Sequence, residues 1–451
     1  MYRNQLPIFK ELNPYCGQID GNNRWIRLSE LVPWDEMERL YLEYFDERKR
    51  GTLKKSRTIL GLFLGQMLLK NSDRDILDFF HENPYFQYFC GFDSFVVKLK
   101  KSVIHHSLLS KRRKRLGKAY MQRFELEVLA VLKERGLVTG NSLMLDATVF
   151  PAKITYPNDI KLLNTIREWS CQKILDIKNV IDPKRRVRTY RKIARKLYLN
   201  FQKTKRKKKT FLRKNRNKML RFVRRNIEQL EYMLNELEKT AQSLNGSFSD
   251  AVLTKIRREL LIAKEIYCQQ LEMAKKRGRR VANRIVSFHQ PQIRPIIRGK
   301  EGKGVEFGPK ANIALVDGYA FLDDFAFNAF HEGNCLPASI EKHEARFGST
   351  PDLVIADQLY ATRANRLLLQ KLKIDHSFKP IGRPPNDPDS AYKKDKRLRR
   401  SRQNSRNQIE GFFGHVKQHL NLEKIHWRVP DGPEMQIRLG LSANNLISAL
   451  A

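Results

Sequence analysis

Three charged side chains towards the C-terminal end, Arg406, Glu410 and Lys417, stand four and seven residues apart within SRQNSRNQIEGFFGHVKQHLNL (401–422). At 3.6 residues per turn those intervals return to nearly the same face of a helix. Ile409, Phe412, Phe413, Val416 and Leu420 fill the adjoining face. The spacing predicts one amphipathic helix that holds a carboxylate between two cations. Solvated surface charges joined by i,i+4 pairing fit the same pattern, so Glu410 needs partners from elsewhere in the chain. Asp146 lies inside the apolar run LMLDATVF (143–150), which reads as a buried strand. A carboxylate there is costly unless it is hydrogen-bonded, paired or bound to a metal. Asp357 ends a second short apolar strand, DLVIAD (352–357), and the carboxyl ends of parallel strands are where open α/β sheets hold ligands.

The elements that must bring these acids together follow in order. Residues 1–140 read as helical. Ser29 is a candidate cap for a first helix, Pro33-Trp34-Asp35-Glu36 opens a second, 56–70 repeats apolar residues at helical spacing, and Asp73 to Phe80 follows Ser72 as N-cap. The aromatics Tyr85, Phe86, Tyr88, Phe89 and Phe92 lack interleaved basic residues, which favours core packing over base stacking. In 105–123, Ser107 or Ser110 would cap a helix bearing Lys111, Arg112, Arg113, Lys114 and Arg115. A short cationic helix after a helical cluster suits a helix-turn-helix reader of DNA ends, with a solvated basic helix as the alternative.

Residues 141–157 supply the strand with Asp146. From 158 to 285 the pattern is helical and polar, and Pro183 to Asn226 holds 21 Lys+Arg with no Asp or Glu. Such a block repels itself and is expected to be mobile without an anion. Apolar stripes at Ile227, Leu230, Leu234 and Leu237 and at Val252, Ile256, Leu260, Tyr267 and Leu271, parted at Asn245-Gly246-Ser247, suggest an antiparallel helical hairpin. It reads as an insertion that grips DNA backbone; a charged coiled coil for self-association is the alternative. Residues 286–451 give a loop or edge segment with Pro291 and Pro295, a hairpin from Asn312 to Phe330 turning at Asp317-Gly318, and a helix from Pro337 to Phe347. The strand ending in Asp357 comes next, then a helix over 361–372, a strand over 376–381, the Pro-rich loop GRPPNDPDS, and a last helix from Glu434 to Leu450.

Length and charge bound the function. A chain of 451 residues suggests several domains, and a net charge of +39 calls for an anionic partner, nucleic acid first. The longest apolar run, Thr58 to Leu69, is too short for a bilayer, and the N-terminus lacks the apolar core of a signal peptide. Five dispersed cysteines without a CxxC fit a reduced compartment rather than a zinc site or disulfide framework. A cytoplasmic, nucleoid-associated protein with no membrane partner is expected.

The order strand with Asp146, hairpin, helix, strand ending in Asp357, helix, strand, helix with Glu410 describes a mixed sheet flanked by helices. With the segments LMLDATVFPAKITYPNDIKLL, RPIIRGKEGKGVEFGPK, VIADQLYATRANR and RNQIEGFFGHVKQHLNL in that order, the chain resembles DDE insertion-sequence transposases. Within them it resembles the group with a long helical insertion after the first aspartate. The family's third motif, Y-x2-R-x3-E-x6-K, is met by Arg406, Glu410 and Lys417, while Gln403 takes the tyrosine place. The resemblance implies an α/β ribonuclease H-like core, interrupted by the basic helical insertion and preceded by an all-α N-terminal domain for DNA binding. It implies that Asp146, Asp357 and Glu410 are catalytic and bind two Mg²⁺ ions, with Mn²⁺ as a substitute. Arg406 and Lys417, with Tyr360 as a lesser candidate, would contact DNA phosphates, and Lys111, Arg112, Arg113 and Arg115 would bind DNA ends. The implied reaction is strand cleavage at inverted-repeat ends and strand transfer into target DNA by a homodimer in the synaptic complex. The alternatives are a catalytically inactive DNA-binding descendant and another nuclease on the same fold.

Overall fold

The computed structural model describes residues 20–45, 55–92, 104–240, 249–276, 281–297, 304–382 and 390–450. Cys16, the break at Asn245-Gly246-Ser247, most of the Pro-rich loop and residues 298–303 lie outside the described residues. The chain divides into two compact units, Met1–Lys153 with Gly308–Ala451, and Ile154–Phe307. The second takes in the 158–285 segment expected as an insertion.

The first unit is built on a five-stranded mixed sheet. Its strands are β1 (Ser142–Val149), β4 (Lys310–Val316), β5 (Tyr319–Ala326), β6 (Leu353–Ala356) and β7 (Asp375–His376), in the order β5-β4-β1-β6-β7. β1 is central because it is apolar on both faces; Asp146 is the one position inside it that is not fully buried. It runs antiparallel to β4, with Asp146 opposite Ile313, and parallel to β6, with Leu145 opposite Ala356. β4 and β5 form the expected hairpin. Asp317 (φ 51°) and Gly318 (φ 88°) both take the left-handed conformation that a two-residue hairpin turn requires. The strand expected over 376–381 is shorter: only Asp375–His376 pairs, parallel to β6.

The helices expected to stand apart as an N-terminal domain share the sheet's hydrophobic core. The reason lies in the Gly432–Ser448 helix, buried from Gly432 to Leu446, which packs against the Ser56–Leu69 and His106–Glu134 helices and against β5. A helix buried all round must satisfy its own polar groups. Arg438 pairs with Glu434 and Glu125, and Gln436 accepts from the amides of His426 and Trp427. Asn445 donates to the carbonyl of Ala320 and accepts from its amide, each at 2.9 Å. It thereby occupies the hydrogen-bonding edge of β5 that another strand would otherwise seek. At the N-terminal end Asn23, not Ser29, caps the first described helix, Arg24–Ser29. The aromatic patch is core: Phe86 and Phe89 are buried against Trp25.

The second unit has its own core, made by the helices Asp159–Ile181, Arg191–Lys203, Lys209–Thr240 and Asp250–Lys275. A short ribbon, β2 (Pro295–Ile297) with β3 (Val305–Phe307), completes it. Within the basic block, Arg191–Lys203 and the stretch from Lys209 onward are helical. Ala194, Phe201, Met219, Leu220 and Val223 of the block are buried, and the stripe continues through Ile227, Leu230, Leu234 and Leu237 beyond it, so the cations keep to the solvent side of an apolar face. Asn158 caps the first of these helices, accepting from the amides of Ile160 and Lys161 at 3.0 and 3.4 Å. Asn158→Ala is expected to cost about 1 kcal/mol, read as a lower urea midpoint for unfolding of this unit.

The chain leaves and re-enters the first unit at neighbouring points. Phe150 N–H donates to Pro309 O at 3.0 Å, and a Cβ at Gly308 would lie 2.0 Å from Phe150 O. Only glycine permits that approach.

Candidate active site

The parallel register of β1 with β6 pairs Leu145 with Ala356, so the next residue on each strand, Asp146 and Asp357, is an acid. Asp146 Oδ1 accepts from the Ala147 amide at 2.8 Å, and Asp357 Oδ1 accepts from the Gln358 amide at 2.5 Å as the chain turns away from the sheet. The third acid comes from the helix Asn407–His419. A preceding helix, Ser390–Ser405, meets it at Arg406, which keeps right-handed helical dihedrals (φ −58°, ψ −22°). The Arg406 side chain places its guanidinium between the acids. Arg406 Nη2 lies 2.6 Å from Glu410 Oε1, and Nη1 lies 3.6 Å from Asp146 Oδ2 and 3.9 Å from Asp357 Oδ2. Three carboxylates from distant parts of the chain thus share one cation.

Their environments differ. The Asp146 side chain is 14% exposed and that of Glu410 54%. Burial pushes the Asp146 carboxyl from 3.8 up to about 6; Glu332 and Asp357 add to the rise, while the Ala147 amide and Arg406 oppose it. Glu332 is a member of this field that sequence reasoning missed. It pairs with Lys310 at 2.8 Å, and nothing in the local pattern marks it. Its turn is stapled to the turn after Asp357 by buried Asn365, whose Nδ2 donates at 2.7 Å to both Gly333 O and Tyr360 O.

Lys417 reaches the same region by another route. Its Nζ donates to Thr148 Oγ1 at 2.7 Å and to Val149 O at 2.9 Å, fixing the helix to the end of β1 two residues beyond Asp146. Gln403, in the family's tyrosine place, is part-buried, and its side-chain oxygen has no hydrogen-bond partner.

Two expectations are corrected. Tyr360 is wholly buried and its hydroxyl donates to Asn312 Oδ1 at 2.6 Å, so it faces the core rather than a phosphate. Arg113 is 4% exposed. It is bonded to Asp73 and Gln66 and lies over the ring of Trp427. The reason was available from spacing: Leu109, Arg113 and Leu116 make one buried stripe before the kink at Gly117 (φ 66°). The other end-binding candidates are nearer the surface. Arg112 and Arg115 both lie over Phe45, Arg115 Nε also donates to Tyr44 O, and Lys111 is exposed.

The donor set suits a hard divalent cation, since it is all carboxylate oxygen. Among the described residues no three His, Cys, Asp or Glu side chains approach closely enough to hold one ion as they stand. Arg406 is the cation that compensates them here.

A family model described as "Transposase DDE domain" matches residues 354–446, a range that includes Asp357, Arg406, Glu410 and Lys417. A second, described as "Transposase domain (DUF772)", matches residues 15–115. Among curated proteins the chain is similar to "Uncharacterized protein ORF8 in nfe locus" of Rhizobium meliloti. The two are 28% identical over 151 residues, which is 32% of this chain and 69% of that protein. No solved structure matches the chain.

Proposed function

The chain belongs to the DDE transposases of insertion sequences, and from that premise we propose that it cuts DNA at the inverted-repeat ends of its element and joins them to target DNA. The observation that carries this reading is the gathering of Asp146, Asp357 and Glu410 around the single guanidinium of Arg406. We read the sheet, three antiparallel strands continued by two parallel ones, as a ribonuclease H-like core that presents acids at its carboxyl edge. Asp146, Asp357 and Glu410 would hold Mg²⁺ or Mn²⁺, which supplies activation of water or of a DNA 3′-OH and neutralises the leaving oxygen.

The chain's own residues do the rest of the work in this reading. Arg406 holds the carboxylates together before DNA arrives and then offers its guanidinium to a phosphate oxygen. Lys417 acts from its fixed place on the end of β1, adding positive charge beside the scissile phosphate. Lys111, Arg112 and Arg115 contribute to end binding, and the cations of the second unit hold DNA backbone. Two copies are needed to bring two ends into one synaptic complex. Among the described residues no helix is long and apolar enough to cross a membrane, and the setting proposed is the cytoplasmic nucleoid.

The test uses the full chain with linear duplexes that carry the DNA flanking its coding region. Strand cleavage at the inverted repeats is expected with Mg²⁺ or Mn²⁺ and none with chelator. DNA retained but uncut under both conditions would make the chain an inactive DNA-binding descendant. Cutting without preference for the ends would make it a nuclease of another kind.

A further inference from the structure

The second unit contains a cavity of about 160 Å³ that the reaction proposed above does not use. Arg167, Glu168, Cys171 and Gln172 of the Asp159–Ile181 helix line one side, and Arg191 and Arg195 of the Arg191–Lys203 helix line the other. Three guanidiniums therefore face one carboxylate. That carboxylate is already engaged, because Glu168 Oε1 accepts from Arg167 Nη2 at 2.9 Å.

Arg167 is 1% exposed. Its Nε and Nη2 donate to Asn164 Oδ1 at 3.1 and 2.8 Å, but its Nη1 has no hydrogen-bond partner. A buried charged donor left unused is costly, and native structures rarely leave one without a role. The start of the Arg191–Lys203 helix is unusual in the same sense. Tyr190, the residue before it, is left-handed at φ 50° and supplies no side-chain cap, and the first turn holds no acid. Its first amides are thus left for an outside acceptor, and the helix dipole favours negative charge there. The sequence instead places Arg191 in that turn and Arg195 one turn on, and neither makes an ion pair among the described residues. Cations at a helix N-terminus repel its dipole unless an anion sits between them.

We infer that this cavity is an oxyanion site that takes one phosphate group, either from a nucleic-acid backbone or from a free phosphorylated small molecule. Only the choice of nucleic acid as a source rests on the function proposed above. The buried guanidinium and the uncapped helix start supply fixed donors, and the two exposed arginines close over the incoming group.

The experiment titrates inorganic phosphate into the full chain by calorimetry at constant ionic strength, using Arg191→Ala/Arg195→Ala. A charge-matched control, Lys205→Ala/Arg206→Ala, removes two exposed cations elsewhere in the same unit. The wild type and the control are expected to bind about one phosphate with similar affinity, and the double variant to bind at least roughly tenfold more weakly. No phosphate binding by the wild type, or equal losses in both variants, would overturn the site. The salt dependence of duplex binding then separates the sources. A slope of log K against log salt reduced by about one in the double variant identifies a backbone phosphate. An unchanged slope, with phosphate binding lost, identifies a free phosphorylated compound. A chain that binds phosphate here but never cuts DNA would refute the proposed reaction and leave this site standing.

Discussion

Glu410→Gln is expected to lower divalent-dependent strand cleavage on the order of 10³-fold or more while leaving DNA retention within about twofold of wild type. The side chain is more than half exposed, so the substitution removes no core contact and folding is expected to be unaffected. It keeps shape and one acceptor oxygen but loses the negative charge that Arg406 Nη2 meets at 2.6 Å. Loss of charge weakens a hard-cation ligand directly, because Mg²⁺ is held mainly by anionic oxygens. DNA retention rests on the cations of the chain, which the change leaves in place. Labelled duplex, a gel-shift assay and a cleavage assay on the same preparation measure both quantities. Cleavage within tenfold of wild type would remove Glu410 from the site.

Asp146→Asn is expected to abolish cleavage and, in chelator, to make the first unit more stable at neutral pH. Burial holds the folded-state carboxyl at about 6, above its ordinary 3.8. A raised acid favours folding while it is protonated. Its contribution is complete below about pH 4 and is lost as pH rises through about 6. For a rise of this size the loss is on the order of 2 kcal/mol after allowance for partial exposure. Asparagine carries no charge to desolvate, so the variant should unfold at higher temperature than wild type at pH 8. The two should converge towards pH 4. Thermal unfolding at pH 4.5 and pH 8 checks the sign, followed through a probe in the first unit because two units need not melt together. A variant less stable than wild type at pH 8 would contradict the account of Asp146 as a carboxylate held against its solvation preference.

Much of this site was legible in one sequence. An acid inside an apolar strand and another at a strand end are locally expensive, and such expense shows in composition. The Asp317-Gly318 turn was legible for the same reason, since few residue pairs accept its backbone conformation. What escaped was decided by packing between distant segments. The meeting of one guanidinium with three acids at Arg406 draws on strands distant in sequence, which helical spacing within 401–422 does not show. Tyr360 belongs to a motif but faces Asn312, on the core side of the sheet. The N-terminal helices read as a separate domain because the buried helix that joins them to β5 lies some three hundred residues away. In the basic block the count of charges hides the few apolar residues, Ala194, Phe201, Met219, Leu220 and Val223, that are buried among them.

The contact between Phe150 and the Gly308-Pro309 pair has a topological meaning. To the sheet, residues 154–307 are a single excursion, and the chain just before and just after it is joined by the Phe150–Pro309 backbone hydrogen bond. The entropy of closing such an excursion grows only with the logarithm of its length. The register of β1 with β4 is therefore nearly indifferent to how much chain lies between them. The spacing of the acids and the size of the basic unit are thus decoupled variables: the first is set by the sheet, while the second can lengthen, shorten or change its surface.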